Sequence, residues 1–564
     1  MRTTERTSGV VRLRFEGHRD AAGPLTVGQR NIAKWLLDAP HAPAAVLAQS
    51  FDVPPGSTVD DVAECFQVLL CRHEGLRSTY RLGDPGSQHV LAAGSLPLLC
   101  SDAADLADLV GLLRAAPFDP AAVAPVRFGV TIHNGFVVAA AVAVSHIVAD
   151  FQALAILAAE FASLIRDPAA RVLGAPFVQP LDRATLEQRP ARARRMEQAL
   201  RHWERALRVA PAHPYTGPRS APSTGSGAYG ISSPAAAAAL AHIAARTGAS
   251  RPSIVLAAFC ALLSLRTGDT TCRFVTLSAN RFESDLLRYV GTLAQATFLS
   301  VDAAAPTFDT LVGRCFGAVL QAGLHGTYDV YRQHERSARL AAERGIAPAF
   351  EPVFNSIVMD AAPTAGALPD IASAPATETQ WVDLPPTDVL LRFDLGSVED
   401  SMVARLWTGD TGRVTPTEAH ALLLALERLI VAAAPADLPH SAVAAALALP
   451  PLDRPPGWLL VDHCWVDLAE IQALLDTALS PAPSRVFASA DGDPLVAYVA
   501  VVPGGPTTPE DAHRRCLSAL PGRHAAMTPR HYVLCAHPPS DPTTLPAWQS
   551  TPVLSSGPGR PSRR

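Results

Sequence analysis

Val126 to Phe161 reads VRFGVTIHNGFVVAAAVAVSHIVADFQALAILAAEF, and this stretch decides the fold class. Val126 to His133 has the composition of a strand, Asn134-Gly135 is a dipeptide favoured in the two-residue type I′ turn, and Phe136 to Ser145 is the returning strand. Nearly every residue of that second strand is Val or Ala, so both of its faces are expected to be buried, as in an α/β protein. The apolar residues from Phe151 to Phe161 then recur at helical spacing, with Asp150 placed to cap the helix. His146 therefore stands where a buried strand ends and a short loop enters a helix. In α/β proteins such strand ends are where binding sites gather.

Composition narrows the chemistry. With 48% hydrophobic and 18% charged residues the 564-residue chain reads as globular, and its length asks for two to four units. A net charge of −5 argues against nucleic acid as the main partner, because phosphate binding needs a concentrated basic surface. No apolar run is long enough to span a bilayer, and the polar start at Met1 to Val11 is unlike a signal peptide, so no membrane partner and a cytoplasmic location are expected. The nine cysteines form no CxxC pair, which suggests neither a disulfide framework nor a cysteine zinc site. No bound cofactor and no metal are expected. Lys34 is the only lysine and follows no glycine-rich loop, which removes P-loop and pyridoxal chemistry.

Further along, residues 181–207, rich in Arg, Glu and Gln, read as an exposed helix ending near Trp203, and Pro211 to Ser226 as a linker. A second α/β unit follows, with a helix at Pro252 to Arg266, strands at Arg273 to Ser278 and Thr297 to Val301, and a closing helix at Glu418 to Ala434. Pro435 to Pro456 reads as an alanine- and proline-rich connector. From Trp458 a smaller α/β piece is expected, with helices at Leu468 to Leu479 and Pro509 to Leu520 and strands at Leu495 to Val502 and His531 to Cys535.

A His and an Asp four residues apart occur four times: His146/Asp150, His325/Asp329, His463/Asp467 and His537/Asp541. Context must choose among them. His325 ends an amphipathic helix and suits a capping or surface role. His463 beside Cys464 and Trp465 suits a structural one, and His537 opens a proline-rich loop. His146 alone is delivered to a loop by a buried strand with a helix N-terminus following.

Over roughly residues 10 to 435 the chain resembles the condensation domains of nonribosomal peptide synthetases, in the chloramphenicol acetyltransferase-like superfamily. Leu25-Thr26-Val27-Gly28-Gln29-Arg30 looks like the family's first motif, with Gln and Arg adjacent rather than spaced. Arg72-His73-Glu74-Gly75-Leu76-Arg77-Ser78 closely matches the second, and Ser145-His146-Ile147-Val148-Ala149-Asp150-Phe151 stands where the family has His-His-x-x-x-Asp-Gly. Val290-Gly291-Thr292-Leu293 resembles the later Val-Gly-x-Phe element, and Trp203 fits the tryptophan before the interlobe linker.

The resemblance implies an α/β fold of two chloramphenicol acetyltransferase-like lobes in a V-shaped pseudo-dimer, residues 1–185 and 186–447, with a tunnel between them for donor and acceptor. It implies that His146 accepts or orients the proton of the attacking amine or hydroxyl. Asp150 would give structural support, with Arg281 of the second lobe as its candidate partner. Ser145 replaces the family's first histidine and Phe151 its glycine, placing both in the substrate channel.

Residues 457–550 resemble the small C-terminal subdomain of adenylating enzymes, an α+β unit, in Trp465-Val466-Asp467-Leu468-Ala469-Glu470-Ile471, Leu495-Val496-Ala497-Tyr498-Val499 and Met527-Thr528-Pro529-Arg530. The closing Gly-Lys is absent, so no adenylation is expected and a docking or structural role is favoured; residues 551–564 are expected to be a disordered tail. The leading expectation is a free-standing condensation enzyme of secondary metabolism. It would form an amide or ester from an acyl thioester on the phosphopantetheine arm of an acyl- or peptidyl-carrier protein supplied in trans. The alternatives are an acyltransferase using coenzyme A directly and a non-catalytic module that recruits a carrier protein.

Overall fold

Asn134-Gly135 turns the chain as its chemistry allows: φ is +50° at Asn134 and +84° at Gly135, and Val126–His133 pairs antiparallel with Phe136–Ser145 across it. The computed structural model describes all residues except 1–5, 8–9, 40–41, 43–44, 104, 173–177, 348–350, 359–367, 386–388, 489–494 and 561–564. In it the hairpin belongs to a six-stranded sheet ordered Arg6–Thr7, Val10–Glu16, Ala93–Ser101, Val126–His133, Phe136–Ser145 and Val46–Phe51. Only the Ala93–Ser101 to Val126–His133 pairing is parallel.

Both faces of the second hairpin strand are covered from Ala140 to Ser145, while Phe136 and Val138 at its turn end are exposed, against the expectation of burial throughout. On one face helices Val59–Arg72 and Phe151–Arg166 bring Phe66 and Phe161 against Phe51 and Phe128, with the Phe66 and Phe128 rings 4.6 Å apart. On the other, Leu109 and Leu113 of helix Leu106–Arg114 close onto Ala141 and Ala143, whose small side chains permit the approach.

Contacts divide the chain into two compact units. One comprises Met1–Leu200, Ser278–Ala296 and Gly323–Gln333; the other comprises Arg201–Leu277, Thr297–Ala322 and His334–Arg564. The division thus crosses the chain several times rather than at one linker.

In the second unit a seven-stranded sheet runs in the order Gln295–Asp302, Thr271–Ser278, Val353–Ser356, Leu391–Val398, Met402–Thr408, Ser226–Ser233 and Glu378–Leu384. Helix Arg251–Thr267 is apolar nearly all round and is buried along most of its length, with Phe259 packed on Phe274, Phe354 and Phe393. Among the described residues no single helix is long and apolar enough to cross a membrane.

Three expectations are corrected. The stretch 181–207 is two helices, Pro180–Glu187 and Pro190–Leu207, because Pro190 cannot continue the first and suits the start of the second. It is not exposed throughout, since Trp203 is buried against Phe298 with ring centroids 5.7 Å apart. The connector contains a helix, His440–Leu447, which buries Val443 and Leu447 in the core of this unit. Val553–Gly557, expected in a disordered tail, is a strand pairing antiparallel with His531–Cys535. His531–Cys535 pairs with Leu495–Ala500 on its other side, so the last strand satisfies the remaining row of backbone groups.

The C-terminal residues form the hairpin Trp458–Val461 and Cys464–Asp467, helices Leu468–Ala478 and Pro509–Ala519, and a four-stranded sheet. Their core includes Ala212, Ala341 and Ile346 from the preceding part of the unit. Arg344, 7% exposed, ties the two parts together. It donates to the Leu207 and Ala210 carbonyls at 2.7 and 2.5 Å and to Asp462 Oδ2 at 2.9 Å.

Candidate active site

The strand Phe136–Ser145 ends in a tight turn. Ser145 donates its N–H to the Pro125 carbonyl and accepts from Val148, both at 2.9 Å, while the His146 N–H donates to the Ala45 carbonyl at 2.9 Å. These bonds fix the His146 backbone from two neighbouring segments. Ile147, Val148 and Ala149 are fully buried and anchor the loop. His146 keeps partial exposure, its ring edge-on to Trp35 with centroids 6.1 Å apart. Its Nδ1 is buried without a hydrogen-bond partner. Burial pushes the imidazole below its usual 6.5, against opposing pulls from the His146 and Ala149 backbone and the Asp150 carboxylate. Burial therefore favours the neutral form, the form able to take a proton.

Asp150 is committed elsewhere. Its Oδ1 accepts from the Ala153 N–H at 2.9 Å, which caps helix Phe151–Arg166, and from Arg281 Nη2 at 2.8 Å. Its Oδ2 accepts from Arg281 Nη1 at 2.8 Å and from the N–H groups of Leu293 and Ala294 at 2.9 and 3.2 Å. Five hydrogen bonds on a carboxylate 2% exposed leave it no lone pair for substrate. Arg281 in turn donates to the carbonyls of Ala279 and Gly291 at 3.2 and 3.0 Å. The expected Asp150–Arg281 partnership is present and bidentate.

Arg281, expected in the second lobe, belongs by its contacts to the first unit. The physical reason is a close approach between helix Val27–Asp38 and the segment holding Val290-Gly291-Thr292-Leu293. A Cβ on Gly28 would lie 2.3 Å from the Thr292 carbonyl oxygen. Asn280, at φ +54°, holds the same segment by donating Nδ2 to the Leu293 and Gly326 carbonyls, both at 2.8 Å.

The second motif is a brace for the histidine loop. Arg72 and His73, at the end of helix Val59–Arg72, both reach Glu160 on helix Phe151–Arg166, with His73 Nε2 2.7 Å from Glu160 Oε2. Burial pushes the Glu160 carboxyl up, but bonds to His73 and Arg72 outweigh it and bring it down to about 2. The helix that begins at Asp150 is thus fixed at its first and third turns.

Ser145, 4% exposed, lines a pocket of about 440 Å³ with Leu36, Ala45, Leu82, Phe118 and Pro120. His146 is not among its walls. Phe151, by contrast, is 52% exposed. Of the other histidines, His463 sits with φ +64° in the hairpin turn between Trp458–Val461 and Cys464–Asp467, and His537 is exposed beside its own proline. His325 follows the end of helix Phe308–Gly323. The sequence did not mark Trp35, Glu160 or the N–H groups of Leu293 and Ala294 as parts of the site. Of these, only Leu293 fell inside a motif already noticed, and Ala294 directly follows it.

No protein-family model matches the chain, and no curated protein matches it by sequence. Solved structures do. The condensation domain of the monacolin K polyketide synthase MokA is 16% identical, with a TM-score of 0.57 over 74% of this chain and 98% of that one. A condensation domain described for chain release from the enacyloxin polyketide synthase is 20% identical, with a TM-score of 0.55 over 77% and 83%. The X-domain of teicoplanin biosynthesis, solved in complex with OxyB, is 22% identical, with a TM-score of 0.53 over 74% and 94%. The chain therefore has the fold of the condensation domains of nonribosomal peptide and polyketide synthases. The C-terminal region lies outside most of that likeness.

Proposed function

We propose that this chain is a condensation-type acyltransferase of secondary-metabolite biosynthesis. It joins a carrier-bound acyl thioester to an amine or hydroxyl acceptor, with His146 as the base. The acceptor attacks the thioester carbonyl and the imidazole takes its proton; the tetrahedral intermediate then collapses as the carbon–sulfur bond breaks, and the imidazolium returns the proton to the departing carrier thiolate. The donor is a phosphopantetheine thioester on an acyl- or peptidyl-carrier protein. The observation that carries this reading is the placement of His146 on a loop anchored by buried Ile147, Val148 and Ala149, with Asp150 fully occupied by structural bonds. General base catalysis of this kind is worth roughly 10²–10⁴ in rate. His146→Ala is expected to lower turnover by that factor while leaving the circular dichroism spectrum and thermal midpoint unchanged. Turnover equal to that of the parent chain would overturn the assignment. Offering one acyl group on a carrier protein and on coenzyme A separates carrier-dependent from coenzyme A-dependent transfer.

A second reading, a recruitment module without turnover, is favoured by one feature: the exposed Phe151 ring where the family has glycine. Tight binding of a carrier protein or a modifying enzyme, with no turnover of any acyl donor, would select it.

A further inference from the structure

Within the second unit, His213 Nδ1, a Glu351 carboxylate oxygen and His524 Nδ1 converge, all within 4.8 Å of one another. His213 comes from the segment after helix Pro190–Leu207, Glu351 from just before strand Val353–Ser356, and His524 from the turn between helix Pro509–Ala519 and strand His531–Cys535. The imidazole rings meet edge to face with centroids 4.5 Å apart, and their Nδ1 atoms are separated by 3.4 Å. His213 Nδ1 also meets Glu351 Oε1.

Protons satisfy this arrangement poorly, since only one hydrogen shared in a three-centre bond would serve both contacts of His213 Nδ1. A neutral imidazole carries one N–H and an ionised carboxylate carries none. If His213 Nδ1 donates to Glu351, it has neither a second hydrogen nor a lone pair for His524. If it is unprotonated, its lone pair faces the carboxylate. Protonating Glu351 instead leaves two donors competing for one lone pair. Three lone pairs directed at one cation account for the meeting of these atoms, with the Glu351 oxygen drawing back from His213 Nδ1 to the spacing of tetrahedral ligands.

The geometry points to a zinc-class divalent metal ion, bound by His213, Glu351 and His524 with water in the fourth position, as a clasp between the C-terminal residues and the preceding segments that carry His213 and Glu351. In a tetrahedral zinc site, Zn–N bonds of about 2.0–2.1 Å put ligand atoms about 3.3 Å apart, close to the 3.4 Å between the two Nδ1 atoms. Two imidazoles and a carboxylate suit zinc better than calcium or magnesium, which take oxygen ligands. The carboxylate is also oriented from behind: Glu351 Oε2 accepts from the N–H groups of Leu390 and Leu391 at 2.5 and 3.2 Å, leaving Oε1 for the metal. His524 is half-buried against the His213 ring. The charges around it balance, since Arg413 faces Asp410 and pairs with Glu470.

The test is zinc titration of the full chain after chelator treatment, followed by calorimetry, metal analysis and thermal unfolding, with cobalt as a spectroscopic probe and magnesium as control. One zinc per chain is expected, with a rise in thermal midpoint given by zinc and cobalt but not by magnesium. The metal-free midpoint of His524→Ala is measured alongside, because the ring it removes packs on His213. The substitution should weaken zinc binding by about 100-fold or more, beyond the usual cost of losing an outer partner. His524→Cys, which offers a thiolate in place of the imidazole, should restore it. The proposal is overturned if the chain takes up no stoichiometric zinc, if His524→Ala binds zinc as the parent does, or if His524→Cys fails to rescue.

Discussion

Removing Arg281 tests whether Asp150 is a structural acid. Arg281→Ala deletes two hydrogen bonds of 2.8 Å from a carboxylate that stays buried. Losing one partner of a buried pair costs about 3–5 kcal/mol, because the surviving charge is left without compensation. Asp150 would still accept from the N–H groups of Ala153, Leu293 and Ala294, which places the expectation at the lower end, about 3 kcal/mol. For a unit of this size that corresponds to a fall in thermal midpoint of roughly 6–12 °C. The stronger measurement is a double-mutant cycle of Arg281→Ala with Asp150→Ala in denaturant unfolding. Deleting the acid as well should relieve the uncompensated charge, giving a coupling of roughly 2–3 kcal/mol. Additivity to within about 0.5 kcal/mol would falsify the pairing as the main tie on this loop.

Two further outcomes concern pH. Because burial holds His146 below 6.5, the acid limb of the turnover profile should fall at a pH below that value; a limb centred above it would show a protonated resting imidazole and sink the role as base. Glu160 sits at about 2 rather than 4.5. A depressed carboxylate stabilises the fold above its unfolded value, so its contribution is complete above pH 4.5 and is lost as pH falls toward 2. The shift corresponds to roughly 3 kcal/mol at neutral pH. Glu160→Gln should therefore be less stable by up to that amount at pH 7 in urea titrations, with the gap narrowing below pH 4.5. A gap independent of pH would mean that shape, not charge, sets the contribution of Glu160.

What could be read in the sequence was local. The hairpin at Asn134-Gly135, the buried strand before His146 and the helix capped by Asp150 each follow from composition and spacing within a dozen residues. The Asp150–Arg281 pair spans 131 residues and was reachable only through the order of motifs resembling a known family. Its other donors are backbone N–H groups, which leave no mark on residue identity. The same limit applies to the proposed site at His213, Glu351 and His524. Its ligands are 138 residues apart and 311 residues apart, and the expectation of no metal rested on cysteine spacing, which carries no information about histidine and glutamate brought together by folding. The last strand was missed because Val553 and Leu554 are exposed, so no buried periodicity announced it.

The two departures from the family motif carry different weight once the side chains are placed. Ser145 holds the turn through its backbone N–H and carbonyl, bonds that any residue but proline can make. Replacing an imidazole there with a hydroxymethyl group therefore removes bulk from the wall of the pocket without loosening the loop that carries His146. Phe151 is the reverse case. The helix it starts buries Ala153, Leu154, Leu157, Phe161 and Leu164, so its inward face is complete without it, and half of the ring faces outward. A glycine at this position would lower helix propensity by about 1 kcal/mol relative to alanine, a stability argument that favours almost any side chain but does not select a large aromatic one. Nothing in the described structure explains the size of Phe151. That makes it the residue at which the catalytic and recruiting readings diverge.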